Sequence, residues 1–399
     1  MSIASEAHRI MNNIAAAYTA CDGKGAIMPS AQNSANLAET INSISQESDT
    51  EVEPKYVNFI DVDGTRLYSY TESEIQSLSS LPQLPTREGY TYQGWNWTLS
   101  EILAYGFPLT VGAVRVPSDG KTHYTFDLQD DKDLSLSIPF SNSNGGRLTV
   151  DWGDGTEVEY SVSPAVHQYA SVGYFNVRIS GNKTYSLIGR LLGSTAWKLV
   201  KAELSVDKTT IIDSEFLGCD SLSMLSLPNT LISIGTSAFA VCRLLRACVI
   251  PSSVTTVGVR PFENASSLRC VSLPERGDIL SMVMFIGCCG MQYCAIPNSV
   301  TQIRVRTFEN CYSLQRVLIP KNVTAIGYNM CNSCQRLKEV DLSALTVVPT
   351  LENTNAFSAI PYDCVFYVRN AAMLSAFQSA TNWSAFASKM QIGGKYAEN

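Results

Sequence analysis

The chain has 399 residues, 45% of them hydrophobic and 16% charged, with a net charge of -7. That length suits about two to four domains; the charge leaves no basic footprint for nucleic acid, and no apolar run reaches the roughly 18 residues of a membrane-crossing helix. The opening MSIASEAHRIMNNIAAAYTA puts Glu6, His8 and Arg9 where a secretion signal needs an apolar core, so Sec export is not expected and the cysteines should stay reduced.

Residues 1–45 read as two short helices. The first is Ala-rich with Ile10 and Ile14 at helical spacing, and DGKGAIMP breaks it with two Gly and a Pro. The second, in SANLAETINSIS, places Leu37, Ile41 and Ile44 on one face. So little chain cannot build a sizeable core alone. These five residues are therefore expected to pack an anchor or oligomerisation segment, with a trimeric bundle favoured. The run I-x-x-N-I-A-x-A-Y-x-A, with K-G-A-x-M-P and N-S-A-N-L-A-x-T-I-x-S-I after it, resembles the N-termini of tail or minor structural proteins from phages of Gram-positive hosts. That resemblance implies attachment to other virion proteins. A polar linker, 46–54, follows.

Alternation around Asp63-Gly64 in KYVNFIDVDGTRLYSY predicts a hairpin. Phe59, Asp61, Asp63, Gly64 and Thr65, with the later run Pro85 to Tyr90, Gly94 and Trp95, resemble the Listeria–Bacteroides repeat, or internalin B-repeat. The resemblance implies a β-grasp-like module over 55–104. Next, RLTVDWGDGTEVEY and VHQYASVGYFNVRISG are β-rich around turns made tight by Gly153 and Gly155. They resemble a PKD-like, Ig-like β-sandwich over 105–182. Asp151, Asp154 and Glu157 could hold a calcium ion through oxygen ligands; the alternative is that the Asp side chains accept backbone N–H bonds inside the turn.

A strict repeat follows. Phe216, Phe239, Phe262, Phe285 and Phe308 stand 23 residues apart, and the next step is Cys331. Three residues on come Cys219, Cys242, Ala265, Cys288, Cys311 and Cys334, then a Leu or Met column, an alternating apolar pair and a closing Pro. This is the signature of a solenoid, since no unit can bury its apolar edge alone. The alternating pair predicts one inward-facing strand per turn, ended by a Pro that lacks a ladder N–H. The columns resemble the BspA-type leucine-rich repeat over 183–370. Residues 371–399 are similar to that family's helical C-terminal cap. The fold class is thus multidomain and mainly β.

The chain has three histidines, His8, His123 and His167, and none sits in a recognisable catalytic motif. Cys331 and Cys334 spell C-x-x-C, but each fills a repeat column, so the pair reads as packing rather than zinc or redox chemistry. No cofactor and no enzymatic activity are expected. The candidate binding residues are the predicted outward strand positions Arg246, Arg269, Tyr293, Gln315, Arg316 and Lys338, because Arg and Tyr favour interfaces. The equal alternative is a solvated face. Taken together, the resemblances imply a virion protein that anchors by its N-terminus and offers the solenoid to a host-surface protein or glycan. The alternatives are a bacterial cell-surface adhesin and a purely architectural virion protein.

Overall fold

Either side of Gly64, whose φ of +87° forms the turn, the alternating segment makes strands β1 (Tyr56–Ile60) and β2 (Arg66–Thr71). The computed structural model describes residues 56–398 apart from 106–107, 132–133, 143–146, 182–184, 188–192 and 278. The anchor residues Ile10, Ile14, Leu37, Ile41 and Ile44 lie outside the described residues. Helix α1 (Glu72–Gln76) starts at a capping box between Thr71 and Glu74. Strand β3 (Tyr90–Trp95), helix α2 (Leu99–Tyr105) and strand β4 (Leu109–Pro117) complete the module. The sheet runs β2-β1-β4-β3, with β1 and β4 parallel at its centre. The sequence reading ended this module at 104; β4, which pairs with both β1 and β3, lies beyond that limit.

Strands β5 (Thr122–Leu128), β6 (Ser135–Ile138), β7 (Phe140–Asn142), β8 (Leu148–Asp151), β9 (Glu157–Tyr160), β10 (Ala165–Gln168), β11 (Gly173–Gly181) and β12 (Tyr185–Leu187) come next. Strand β13 (Leu199–Glu203) then pairs antiparallel with β5 and parallel with Met224–Ser226. One sheet therefore passes from β9 through β8, β11, β5 and β13 into the first repeat strand. The sandwich is not a separate bead: its sheet crosses the expected boundary at 182 and closes the solenoid's open first turn. Trp152, Tyr124, Phe216 and Leu225 accordingly share one apolar core.

The repeats form two ladders where one was predicted. The first stacks the alternating segments, such as Ala247–Val249 on Cys270–Ser272. The second stacks two-residue strands ahead of each Phe, such as Ser233–Ile234 on Thr256–Val257. Two residues cannot show alternation, so this ladder left no period in the sequence. Between the ladders the five Phe rings stack with centroids 5.4 to 5.8 Å apart and interplanar angles of 14 to 16°. The residues two before and two after each Phe column position have left-handed φ, as at Ser237 and Val241 around Phe239. Every second N–H in this segment thereby points to the next turn: Ser237, Phe239 and Val241 donate to the carbonyls of Val259, Pro261 and Glu263.

The Cys column is more than filling. Sγ of Cys242, Cys288, Cys311 and Cys334 donates to the carbonyl of the preceding turn's Phe at 3.1 to 3.2 Å. Burial pushes the Cys242 and Cys311 thiols well above their ordinary range, so they stay protonated donors. At the far end, helix α3 (Ala371–Ser379), a 3-10 segment (Trp383–Lys389) and strand Met390–Ile392 cover the last turn. Phe377, Trp383 and Phe386 bury their rings there. Ser343, where earlier units have Pro, accepts the Tyr396 N–H on Oγ as the chain folds back.

Candidate binding surface

The sheet of the first ladder has an inner face, carrying Leu225, Cys248, Val271, Cys294, Val317 and Val340, and an outer face. The outer column Ser226, Val249, Ser272, Ala295, Leu318 and Asp341 is buried throughout, and its partner column, which includes Ala247, Cys270, Tyr293 and Arg316, is nowhere fully exposed. The module carrying β4 lies over both. Strand β4 crosses the turns in order. The Arg115 carbonyl accepts from Ser226 Oγ at 2.5 Å, Gly112 packs on Val249, and the Thr110 carbonyl accepts from Ser272 Oγ at 2.7 Å. Gly112 is required there, because a Cβ would lie 2.3 Å from a Val249 methyl.

The proline column explains two further contacts. In a parallel ladder Ile250 donates to the Ser272 carbonyl, and its own carbonyl should accept from residue 274, which is a proline without N–H. Asn96 Nδ2 fills that gap, donating to the Ile250 carbonyl at 3.0 Å. Trp97 Nε1 does the same for Leu273, whose partner position is Pro297, at 2.7 Å. Asn96 Oδ1 also accepts the Gly112 N–H at 2.7 Å. Consecutive residues of the module thus satisfy consecutive turns of the solenoid.

A buried charge joins the same elements. Asp61 Oδ2 accepts from Arg115 and Arg87, both at 3.1 Å, and from the Tyr92 hydroxyl at 3.0 Å. The Arg115 guanidinium lies 4.2 Å from the Tyr90 ring centroid and reaches Met224 Sδ. Asp61, Arg87 and Tyr90 are motif residues of the sequence reading, and they are spent on internal cohesion. Arg115, Asn96, Trp97 and Gly112 were missed. A single Arg in the apolar strand LTVGAVRVP was the one available signal, since a charge there needs a buried partner.

The six candidate binding residues therefore part company. Arg246, Arg269 and Lys338 are exposed. Gln315 is half-buried. Tyr293 is half-buried and donates to the Pro108 carbonyl at 2.8 Å, with burial pushing its hydroxyl pKa up. Arg316 pairs with Glu339 at 2.7 Å and with buried Asp341 at 3.5 Å. Tyr293 and Arg316 were placed on an open face because strand alternation shows outward orientation and not what lies above it.

The carboxylates considered for calcium are each engaged. Asp151 accepts the Gly153 N–H and faces Arg178; Asp154 accepts the Thr156 N–H and meets His167 at 2.7 Å; Glu157 lies 3.9 Å from Lys121. Their contacts follow the turn reading. No group of three or more His, Cys, Asp or Glu suited to a metal ion occurs among the described residues. His167 stacks on Trp152 at 5.0 Å, as a wall of the sandwich.

Comparison with known proteins bears on the repeat region. Six copies of the BspA type leucine rich repeat region match residues 179–269 and 244–359. Among solved structures, a leucine-rich repeat protein from Bacteroides ovatus is similar at 22% identity and a TM-score of 0.32, over 41% of this chain and 48% of its own. The leucine rich repeat protein of T. pallidum is 20% identical with a TM-score of 0.33, over 48% of this chain and 80% of its own. A leucine rich cell surface protein from Faecalibacterium prausnitzii is 18% identical with a TM-score of 0.26, over 48% and 62%. The chain thus spans about half the length of the first of these. No curated protein matches. The chain carries BspA-type leucine-rich repeats in a mainly β fold.

Proposed function

We propose that the chain is a non-catalytic contact protein whose solenoid binds a cell-surface protein or glycan, and that residues 1–45 hold it on a virion as a homo-oligomer. The observation behind the binding role is the division of the outer face. Two columns are consumed by the docked module, and the next, with Arg246, Arg269 and Lys338, stays open on a rigid ladder. A scaffold that covers its own apolar face and leaves a polar column exposed suits a contact surface, because exposed polar residues on a rigid frame cost little to order. The virion setting is supported by the N-terminal resemblance alone. The BspA-type repeats favour a second reading, a bacterial surface adhesin.

One experiment addresses the binding role. Replacing Arg246 and Arg269 together by Ala should reduce adsorption to host cells while thermal unfolding stays unchanged. Unaltered adsorption would sink the assignment of this column. For the setting, deletion of residues 1–50 should abolish co-purification with particles, and a truncated chain that still co-purifies removes the anchor.

A further inference from the structure

We propose that Arg246 and Arg269, with Arg66 set beside them by the docked hairpin, bind a linear anionic polysaccharide running along the solenoid across the turns. The proposal rests on the reading that this column is the contact surface, and it names the chemistry that surface selects.

Arg246 and Arg269 occupy the same position in adjacent turns, and the Arg269 N–H donates to the Arg246 carbonyl at 2.9 Å. Their side chains therefore leave the sheet about 4.8 Å apart. Both are exposed, and neither joins an ion pair among the described residues. Over six turns the column reads Ser223, Arg246, Arg269, Gln292, Gln315 and Lys338, with no acid at any step. The neighbouring acids are committed elsewhere: Asp220 to Arg243 at 2.7 Å, and Glu339 to Arg316 at 2.7 Å. In a chain of net charge -7, a row that gathers cations and omits anions is a local reversal of sign.

The module supplies the third cation. Its Asp63-Gly64 turn sits on Ala247, where a Cβ on Gly64 would lie 3.0 Å from the Ala247 Cβ. Arg66, two residues on and exposed, comes near enough to Cys270 to act on its thiol electrostatically. Ala247 and Cys270 directly follow Arg246 and Arg269 in sequence, so three guanidinium groups from three strands border one stretch of surface. Guanidinium forks match carboxylate and sulfate oxygens in a bidentate way. Further along the same line, the amides of Gln292 and Gln315 can donate to sugar hydroxyls. A row of this kind favours a polymer over a single small anion, because the polar positions continue across every turn.

The test uses the full chain and calorimetric titration with three probes: dextran sulfate, neutral dextran of the same length, and a single-stranded oligonucleotide. Dextran sulfate should bind, more weakly as salt rises, and neutral dextran should not. Arg246→Gln with Arg269→Gln should weaken binding by about a hundredfold, at roughly tenfold for each guanidinium removed, with an unchanged melting temperature. Arg243→Gln, at a guanidinium already held by Asp220, should change it by less than about threefold. Equal binding by the double variant overturns the proposal. So does an equal loss at Arg243, which would mean diffuse attraction, or tighter binding of the oligonucleotide than of dextran sulfate. If the double variant fails to bind dextran sulfate yet adsorbs to cells normally, the contact-surface reading fails. If it no longer adsorbs while no form binds dextran sulfate, that reading stands and the polysaccharide is wrong.

Discussion

Arg246 and Ala247 are neighbours on one strand end, yet the first stands in solvent and the second is 1% exposed beneath the module. The same holds one turn later for Arg269 and Cys270, where the second residue is half-buried. Both columns recur every 23 residues with the same regularity. What separates them is a strand more than a hundred residues earlier, β4, which crosses one column and stops short of the other. A repeat determines which side chains face its own core. Its outward positions acquire their roles from whatever else the chain lays upon them.

The sharpest way to break this contrast is to loosen the cover. Trp97 is 2% exposed, meets Tyr105 edge to face at 5.4 Å and donates to the Leu273 carbonyl. Trp97→Ala should cost about 3–5 kcal/mol, read by denaturant unfolding. Hydrogen exchange should rise at β4 and at the covered column while the Phe ladder stays protected. A uniform rise in exchange would mean that the module and the solenoid unfold as one and that the cover is not separable.

A second change tests the fit of β4 itself. Gly112→Ala drives a Cβ into the Val249 methyl groups and should destabilise by about 1–3 kcal/mol. Adding Val249→Ala makes room, so the double variant should recover most of the fall in melting temperature. Additive losses would place the strain elsewhere. Arg246 lies outside this packing, so neither variant should alter what the open column binds.

How much of this was legible follows from the range of each interaction. The inner columns, the Phe stack and the hairpin at Gly64 rest on spacing within one repeat or one turn, and they appear in the sequence as periods. The second ladder uses pairs such as Ser233–Ile234, too short to show a period. Strand β4 joins β1 through a parallel pairing of Val57 with Leu109, and nothing local announces such a partner. The Asn96 and Trp97 contacts were hidden for a different reason. They answer a defect, the missing N–H of Pro274 and Pro297, that becomes visible only once the turns are stacked. Arg115 was the one long-range feature with a local trace.

The smallest expected effect has the opposite sign and serves as a control on the contrast between the columns. Val241 has a φ of +64° in a left-handed position where other turns place Gly287, Asn264 and Asn310. A β-branched side chain is poorly suited to that conformation, whereas Asn tolerates it. Val241→Asn should therefore stabilise the chain by about 1 kcal/mol, seen as a raised denaturant midpoint with an unchanged slope. The turn it relaxes leads into the strand that carries both Arg246 and Ala247 and touches neither column's partner. Protection of the covered column and binding by the open one should stay as they were. A gain in stability that also changed either would show that the two columns are coupled through the turn, and not divided by the module above them.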